Sequence, residues 1–279
     1  MVSFQLPVLD SKAGSDLRKQ GTDHWQLATD HSLEMSSARE PKLIETVLQW
    51  WKDHRKRAGF FSTLRRLTTL LWEFLRDSTP ERRRRRYGDV QYDWDNRVNT
   101  TSATVGWRSR LLGMFHSPYQ PTEPLLFHEM MGALRIDFSE FTFIDLGSGK
   151  GRVLLMAADY PFRRIVGLEL LPELHHVALE NLRQYKSNTQ NCVDLEAICG
   201  DARTFPFPVE PTVLYLFNPL PEEGLFQVIL NLERSLRDQP RPLYLLYHNP
   251  LLEHVLANRG FKRLSGTNQY CVYGNDTIA

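Results

Sequence analysis

The sequence predicts an α/β protein: a doubly wound, mostly parallel sheet with a helical extension in front of it. Three observations lead there. Short apolar runs alternate with helix-forming segments through the C-terminal half. One of those runs, Phe143 to Leu146, passes straight into a turn with glycine at alternate positions, Gly147, Gly149 and Gly151, and then into an apolar helix. Beyond Pro41, by contrast, apolar residues recur at helical spacing.

Three segments follow from these patterns. Residues 1–40 mix Ser, Asp, Lys and Gly with isolated apolar residues and keep no period, so a mobile N-terminal arm is expected. Residues 41–116 form a helical extension and connector, and 117–279 the core domain. In the extension, Leu43, Ile44, Val47, Leu48 and Trp51 share one helical face, and Leu64, Leu67, Leu70, Leu71, Phe74 and Leu75 do so after Gly59. Such stripes ordinarily pack on a domain's own core, and that is the expectation here. The other reading is a membrane surface, with Trp50, Trp51, Phe60 and Phe61 at the interface and Lys52, Arg55, Lys56 and Arg57 toward headgroups.

Thr79-Pro80-Glu81 is a helix-start signature: a capping hydroxyl, proline in the first turn and an acid near the positive end of the dipole. The helix it opens would carry Arg82, Arg83, Arg84, Arg85 and Arg86. Five consecutive helical residues point in nearly every direction, so pairing with Glu81, Asp89 or Asp93 is expected, with weak contact to an anionic surface as the alternative. No period marks the stretch from Tyr87 to Arg110, and the three prolines between Ser117 and Pro124 stiffen an extended loop. Leu125 to Leu134 then reads as helix.

Strands are expected at Phe143 to Leu146, Ile165 to Glu169, Leu195 to Cys199, Thr212 to Phe217 and Leu243 to Tyr247. Helices begin near Gly151, Pro172, Glu222 and Leu251, and Phe261 to Leu264 with Tyr270 to Tyr273 form a closing antiparallel pair. That makes seven strands.

The glycine turn is a nucleotide-cofactor cradle, because glycine admits unusual dihedrals and lets a ligand approach backbone N–H groups at a helix start. A phosphate-binding P-loop needs Ser or Thr after its lysine, but Lys150 is followed by Gly151. A dinucleotide fingerprint needs Gly-x-Gly-x-x-Gly, and the glycines here fall in a different register. The order Asp145-x-Gly147-Ser148-Gly149-x-Gly151 resembles the first motif of class I S-adenosylmethionine-dependent methyltransferases. A carboxylate there would repel a pyrophosphate but suits a cofactor carrying an ammonium.

Further segments follow in the order that resemblance requires, and together it covers roughly Ser117 to Tyr273. It implies a Rossmann-like methyltransferase sheet with S-adenosyl-L-methionine as cofactor. Asp145, Gly147, Ser148, Gly149 and Gly151 would surround the methionine part, and Glu169 would bind the ribose with Leu170 beside it. Asp201 and Ala202 would meet the adenine. Asn218-Pro219 lies where amine-directed methyltransferases carry an acceptor-orienting motif, although Leu220 and Pro221 replace its second proline and aromatic. Tyr247-His248-Asn249-Pro250 follows the next strand and would sit beside it, with His248 either a general base or a structural hydrogen-bonding residue. By position, Tyr119, Thr122 and Glu123 resemble lid residues, and a plain rigid connector would look the same. Lys150 and Arg152 are expected to face solvent or pair with nearby acids.

The expected activity is therefore methyl transfer to an amine, protein lysine foremost. The alternatives are a small-molecule oxygen or nitrogen acceptor, a noncatalytic cofactor-binding scaffold and an NAD-dependent oxidoreductase. Composition fits a globular enzyme: 279 residues, 42% hydrophobic and 24% charged, with a net charge of +1 that gives no overall pull toward nucleic acid. Cys192, Cys199 and Cys271 lack metal-ligand spacing, so no metal is expected. With no membrane-length apolar run and no signal-peptide core, a cytoplasmic protein is expected.

Overall fold

The computed structural model describes residues 43–77, 90–101, 119–218, 220–275 and 277. The arm at 1–40, the Thr79-Pro80-Glu81 signature, the arginine run 82–86 and Pro219 lie outside the described residues.

Two helices, α1 (Leu43–Ala58) and α2 (Phe60–Asp77), meet at Gly59, and a short helix α3 (Val90–Asn96) falls in the stretch where no period was visible. Four of its seven residues are acid or amide, and Asp93, the first-turn acid, is held by a distant arginine, a tertiary contact that hydrophobic period does not register. The core then runs α4 (Pro124–Gly132), β1 (Thr142–Leu146), α5 (Arg152–Ala157), β2 (Arg164–Glu169), α6 (Pro172–Gln184), β3 (Leu195–Cys199), β4 (Thr212–Leu216), α7 (Glu222–Asp238), β5 (Leu243–His248), β6 (Phe261–Gly266) and β7 (Tyr270–Asn275). The helix expected near Leu251 is instead one 3₁₀ turn at Glu253–Leu256. Asn249 just before it has φ +49°, a left-handed kink that ends the strand without launching an α-helix.

The strands form a single seven-stranded sheet in the order β3-β2-β1-β4-β5-β7-β6. Every neighbouring pair is parallel except those of β7, which runs antiparallel to both β5 and β6. Side chains alternate across β1, so Phe143 packs with Phe127, Met130 and Tyr215 on one face, and Ile144 and Leu146 pack with Val228, Ile229 and Leu232 on the other. All five β1 residues are buried, as expected of a central strand covered on both sides.

Chain order reverses at β1. The chain steps outward to β2 and β3, then returns to place β4 on the other side. Helices therefore leave opposite faces there and open a crevice at the carboxyl ends of the strands.

Candidate functional site

That crevice holds a cavity of about 250 Å³. Its floor is the glycine turn. Gly147, Gly149 and Gly151 take φ of +83°, +54° and +83°, left-handed conformations that side chains disfavour. The backbone N–H groups of Gly147 and Ser148 donate to the carbonyl of Leu168, at 2.8 and 3.0 Å, so the turn is laced to the end of β2. Gly149 N–H donates to Glu169 Oε2 at 2.8 Å, and the other oxygen, Oε1, accepts from Leu171 N–H, also at 2.8 Å.

Three carboxylates line the cavity, and their surroundings differ. Burial raises Glu169 above the usual carboxylate range, while the amides of Leu171, Gly149 and Leu170 oppose the shift. Asp145, in register between Gly167 and Tyr215, is held well above that range, first by burial and then by Glu169 nearby. Its carboxyl lines the cavity without a hydrogen bond from a described residue, and the neighbouring Ser148 Oγ is buried without one. The third, Asp201, is gripped by Arg203, whose Nε lies 3.0 and 2.9 Å from its two oxygens.

The opposite wall carries Asn218 and Asn249. Asn218 has φ +43°, and its amide is fixed at both ends, Nδ2 donating to Asn249 O at 2.6 Å and Oδ1 accepting from Tyr247 O–H at 3.0 Å. Leu170, Ala202, Gly147, Tyr119 and Thr122 also line the cavity. Gly149 and Gly151 shape the turn from behind, Gly149 through the N–H it gives to Glu169 and Gly151 as the N-cap of α5.

Besides these two glycines, Glu123 and His248 stand outside the lining. Glu123 is exposed at the start of α4. His248 is buried one step behind the wall: its Nδ1 is 2.8 Å from the Tyr215 hydroxyl, which is 2.8 Å from Thr122 Oγ1. Its ring stacks on Phe217 at 3.8 Å, and burial pushes its pKa down to about 4.

Above the turn lies a group of contacts that sequence reasoning missed. Arg152 and Lys150 are neither exposed nor peripheral. Arg152 Nη2 pairs with Asp93 at 3.1 Å, and its Nε donates to Thr100 Oγ1, which in turn donates to Asp93. Lys150 Nζ donates to Thr101 O at 2.7 Å, and burial lowers its pKa to about 8. Asn181 on α6 closes the set, accepting from Asn99 N–H at 2.8 Å and donating to Asn99 O at 3.0 Å. Residues 93–101 are thus bolted to the glycine turn. Tyr119 joins them, giving its hydroxyl hydrogen to Thr100 O at 2.6 Å while its ring rests on Gly149. The signal available beforehand was two cations next to the glycine motif and an acid at Asp93, which the sequence offers to the arginine run and the structure pairs with Arg152.

A lone antiparallel β7 between β5 and β6, with an acid near the end of β1 and alternate glycines after it at the chain reversal, decides the architecture. This is the class I methyltransferase fold. No protein-family model matches the chain, and no curated protein matches it. Solved structures similar to it include an RNA methyltransferase from Salinibacter ruber in complex with S-adenosyl-L-homocysteine, 23% identical over 55% of this chain and 91% of the other, with a TM-score of 0.40. TrmN from Thermus thermophilus is 20% identical over 54% of this chain and 47% of its own, at a TM-score of 0.39. Precorrin-6y C5,15-methyltransferase from Geobacter metallireducens is 16% identical over 56% and 89%, at 0.42. Within the methyltransferase fold, the cavity's position at the chain reversal is set by topology, and its chemistry by the side chains described above.

Proposed function

We propose that this chain is an S-adenosylmethionine-dependent methyltransferase acting on an amine, with protein lysine the foremost acceptor. One observation carries the reading: the Glu169 carboxylate is fixed by the amides of Gly149 and Leu171 beside Asp145, a buried acid that no described residue hydrogen-bonds. A buried, unmatched carboxylate calls for a cationic partner. The ammonium of the cofactor is one, and Asp145 with Ser148 would hold that end. Glu169 keeps further lone pairs for ribose hydroxyls, and Asp201, Ala202 and Leu170 would frame the adenine. When bound, S-adenosylmethionine supplies a methyl group on a positively charged sulfur, an activated donor.

The chain's own residues then have to exclude water and orient the acceptor. Asn218 is suited to orienting. Its Oδ1 uses one lone pair on Tyr247 and has a second for an acceptor N–H, while its left-handed backbone and the bond to Asn249 keep it from rotating. His248 we assign to positioning. A conjugate acid of pKa about 4 holds no proton at neutral pH, so a neutral imidazole fixes the Tyr215 hydroxyl at the cavity wall.

The test is transfer of labelled methyl from S-adenosylmethionine to a cell lysate, separated into protein and small-molecule fractions. Label in protein, removed by acid hydrolysis as methyl-lysine, is expected. Label confined to small molecules would replace lysine with a small acceptor. Cofactor binding without any transfer would leave a scaffold, and thermal stabilisation by NAD but not by S-adenosylhomocysteine would end the methyltransferase reading.

A further inference from the structure

Among the described side chains, the pair α1 and α2 buries its apolar stripes only in part, against the expectation that they pack on the core. An inner seam is present: His54 Nδ1 is 3.0 Å from Thr63 Oγ1, and Thr63 and Leu70 are buried. The other faces stay open. Phe61 is 84% exposed, Trp72 65%, Ile44 72% and Phe60 51%, with Leu64 and Leu71 also exposed. On α2 the open residues Phe61, Leu64, Leu71 and Trp72 follow helical spacing and form one stripe. Around the Gly59 junction, Trp51, Phe60 and Phe61 make an aromatic cluster, with ring centroids 5.9 and 5.7 Å apart.

Cations ring this cluster. Lys52, Arg55, Lys56, Arg57, Arg65 and Arg66 are all exposed, and none forms an ion pair with a described residue. Between Lys52 and Arg66 the chain has a single acid, Asp53, which receives the Gln49 amide at 3.0 Å. The chain's near-neutral total therefore hides a strongly basic local surface. Aromatic and aliphatic side chains between unpaired cations match a layer with charged phosphates outside and hydrocarbon beneath. Nucleic acid would satisfy the cations but leave Ile44, Leu64 and Leu71 in water. Among the described residues no helix is long and apolar enough to cross a membrane, so such a contact lies on the surface.

We propose that the helix pair α1–α2 docks this protein on an anionic lipid surface, with Phe60, Phe61 and Trp72 entering the headgroup boundary and the six Lys and Arg residues meeting lipid phosphates. Methyl transfer would then take place next to a membrane.

Flotation of the full chain with vesicles of equal parts phosphatidylcholine and phosphatidylserine tests this. Binding is expected to fall about tenfold or more on pure phosphatidylcholine, since each cation near such a surface is worth roughly fivefold. F61S/W72S and R65E/R66E should each lower binding about tenfold or more, with far-UV circular dichroism and the S-adenosylhomocysteine thermal shift unchanged, because these side chains are exposed. Failure to float, or equal flotation of wild type and F61S/W72S, overturns the proposal. So does tighter binding to a labelled single-stranded RNA than to the vesicles, or a dimer that dissociates on F61S/W72S substitution.

Discussion

Glu169 Oε2 accepts the N–H of Gly149 at 2.8 Å, so the carboxylate at the end of β2 is both a ligand candidate and the brace of the glycine turn. Its other oxygen holds Leu171 N–H. Replacing Glu169 by Ala therefore removes the proposed ribose partner and frees two backbone donors together. Affinity for S-adenosylhomocysteine should fall at least about tenfold, as for the loss of two charge-assisted hydrogen bonds. Glu169→Gln separates the roles, since an amide keeps one acceptor oxygen for Gly149. Calorimetry should place it between wild type and Glu169→Ala. Unchanged affinity in a folded Glu169→Ala would remove the ribose assignment.

Gly149 has a second neighbour, the Tyr119 ring. A Cβ at Gly149 would lie 2.3 Å from Tyr119 Cε2, and the backbone sits at φ +54°. Tyr119 cannot easily withdraw, because its hydroxyl is bound to Thr100 O. Gly149→Ala should therefore destabilise the fold by about 2 kcal/mol, combining strain and overpacking. Adding Tyr119→Ala relieves only the overpacking. In urea unfolding the double variant should therefore be more stable than the sum of the single changes, and strict additivity would show that the ring does not touch the turn.

The buried pair Arg152–Asp93 fastens residues 93–101 to the same turn. Removing one partner strands the other, so Asp93→Ala should cost about 3 kcal/mol through an uncompensated guanidinium. Arg152 also stacks over Tyr92, 4.9 Å from the ring centroid, and that contact holds the cation in place. The double change Asp93→Leu with Arg152→Met, which removes both charges, should recover part of the loss. A midpoint for Asp93→Ala equal to that of wild type would show the segment is not bolted down as described.

These contacts also mark what the sequence could and could not disclose. Leu146-Gly147 and Leu168-Glu169 were readable because apolar periodicity fixes strands, and the glycine spacing depends only on local backbone conformation. Position within the sheet followed, since the parallel strands β1 to β5 bring their carboxyl ends to one edge. For Lys150 and Arg152 the sequence leaves open solvent or an acid partner, and Arg152 takes the acid; nothing local reveals their burial, because Asp93 and Thr101 lie 59 and 49 positions away and no hydrophobic period marks that segment. Sequence leaves His248 open between a general base and a structural hydrogen-bonding residue for the same reason. A strand residue's face is predictable, but that Tyr215 would fill the space between it and the cavity depends on β4 and β5 lying side by side. The apolar stripes of α1 and α2 were visible too, yet periodicity alone does not say whether a stripe meets protein or something else.

His248 provides the pH test. Burial lowers its pKa to about 4 in the folded chain, against an ordinary value near 6.5 once unfolded. Between those values the unfolded chain binds more protons, so this residue makes stability fall as pH drops from about 6.5 toward 4, by about 3 kcal/mol in all. Asp145 and Glu169 act in the opposite sense, because their raised carboxyls favour the folded state as they protonate. The net slope of the wild type therefore mixes both. Comparison with His248→Gln isolates the histidine: the difference in unfolding free energy between the two should shrink steadily as pH falls through that window, since the glutamine takes up no proton in either state. A difference that stays constant from pH 7 to pH 4 would mean that His248 is solvated in the folded protein, and its role in holding the Tyr215 hydroxyl would fall with it.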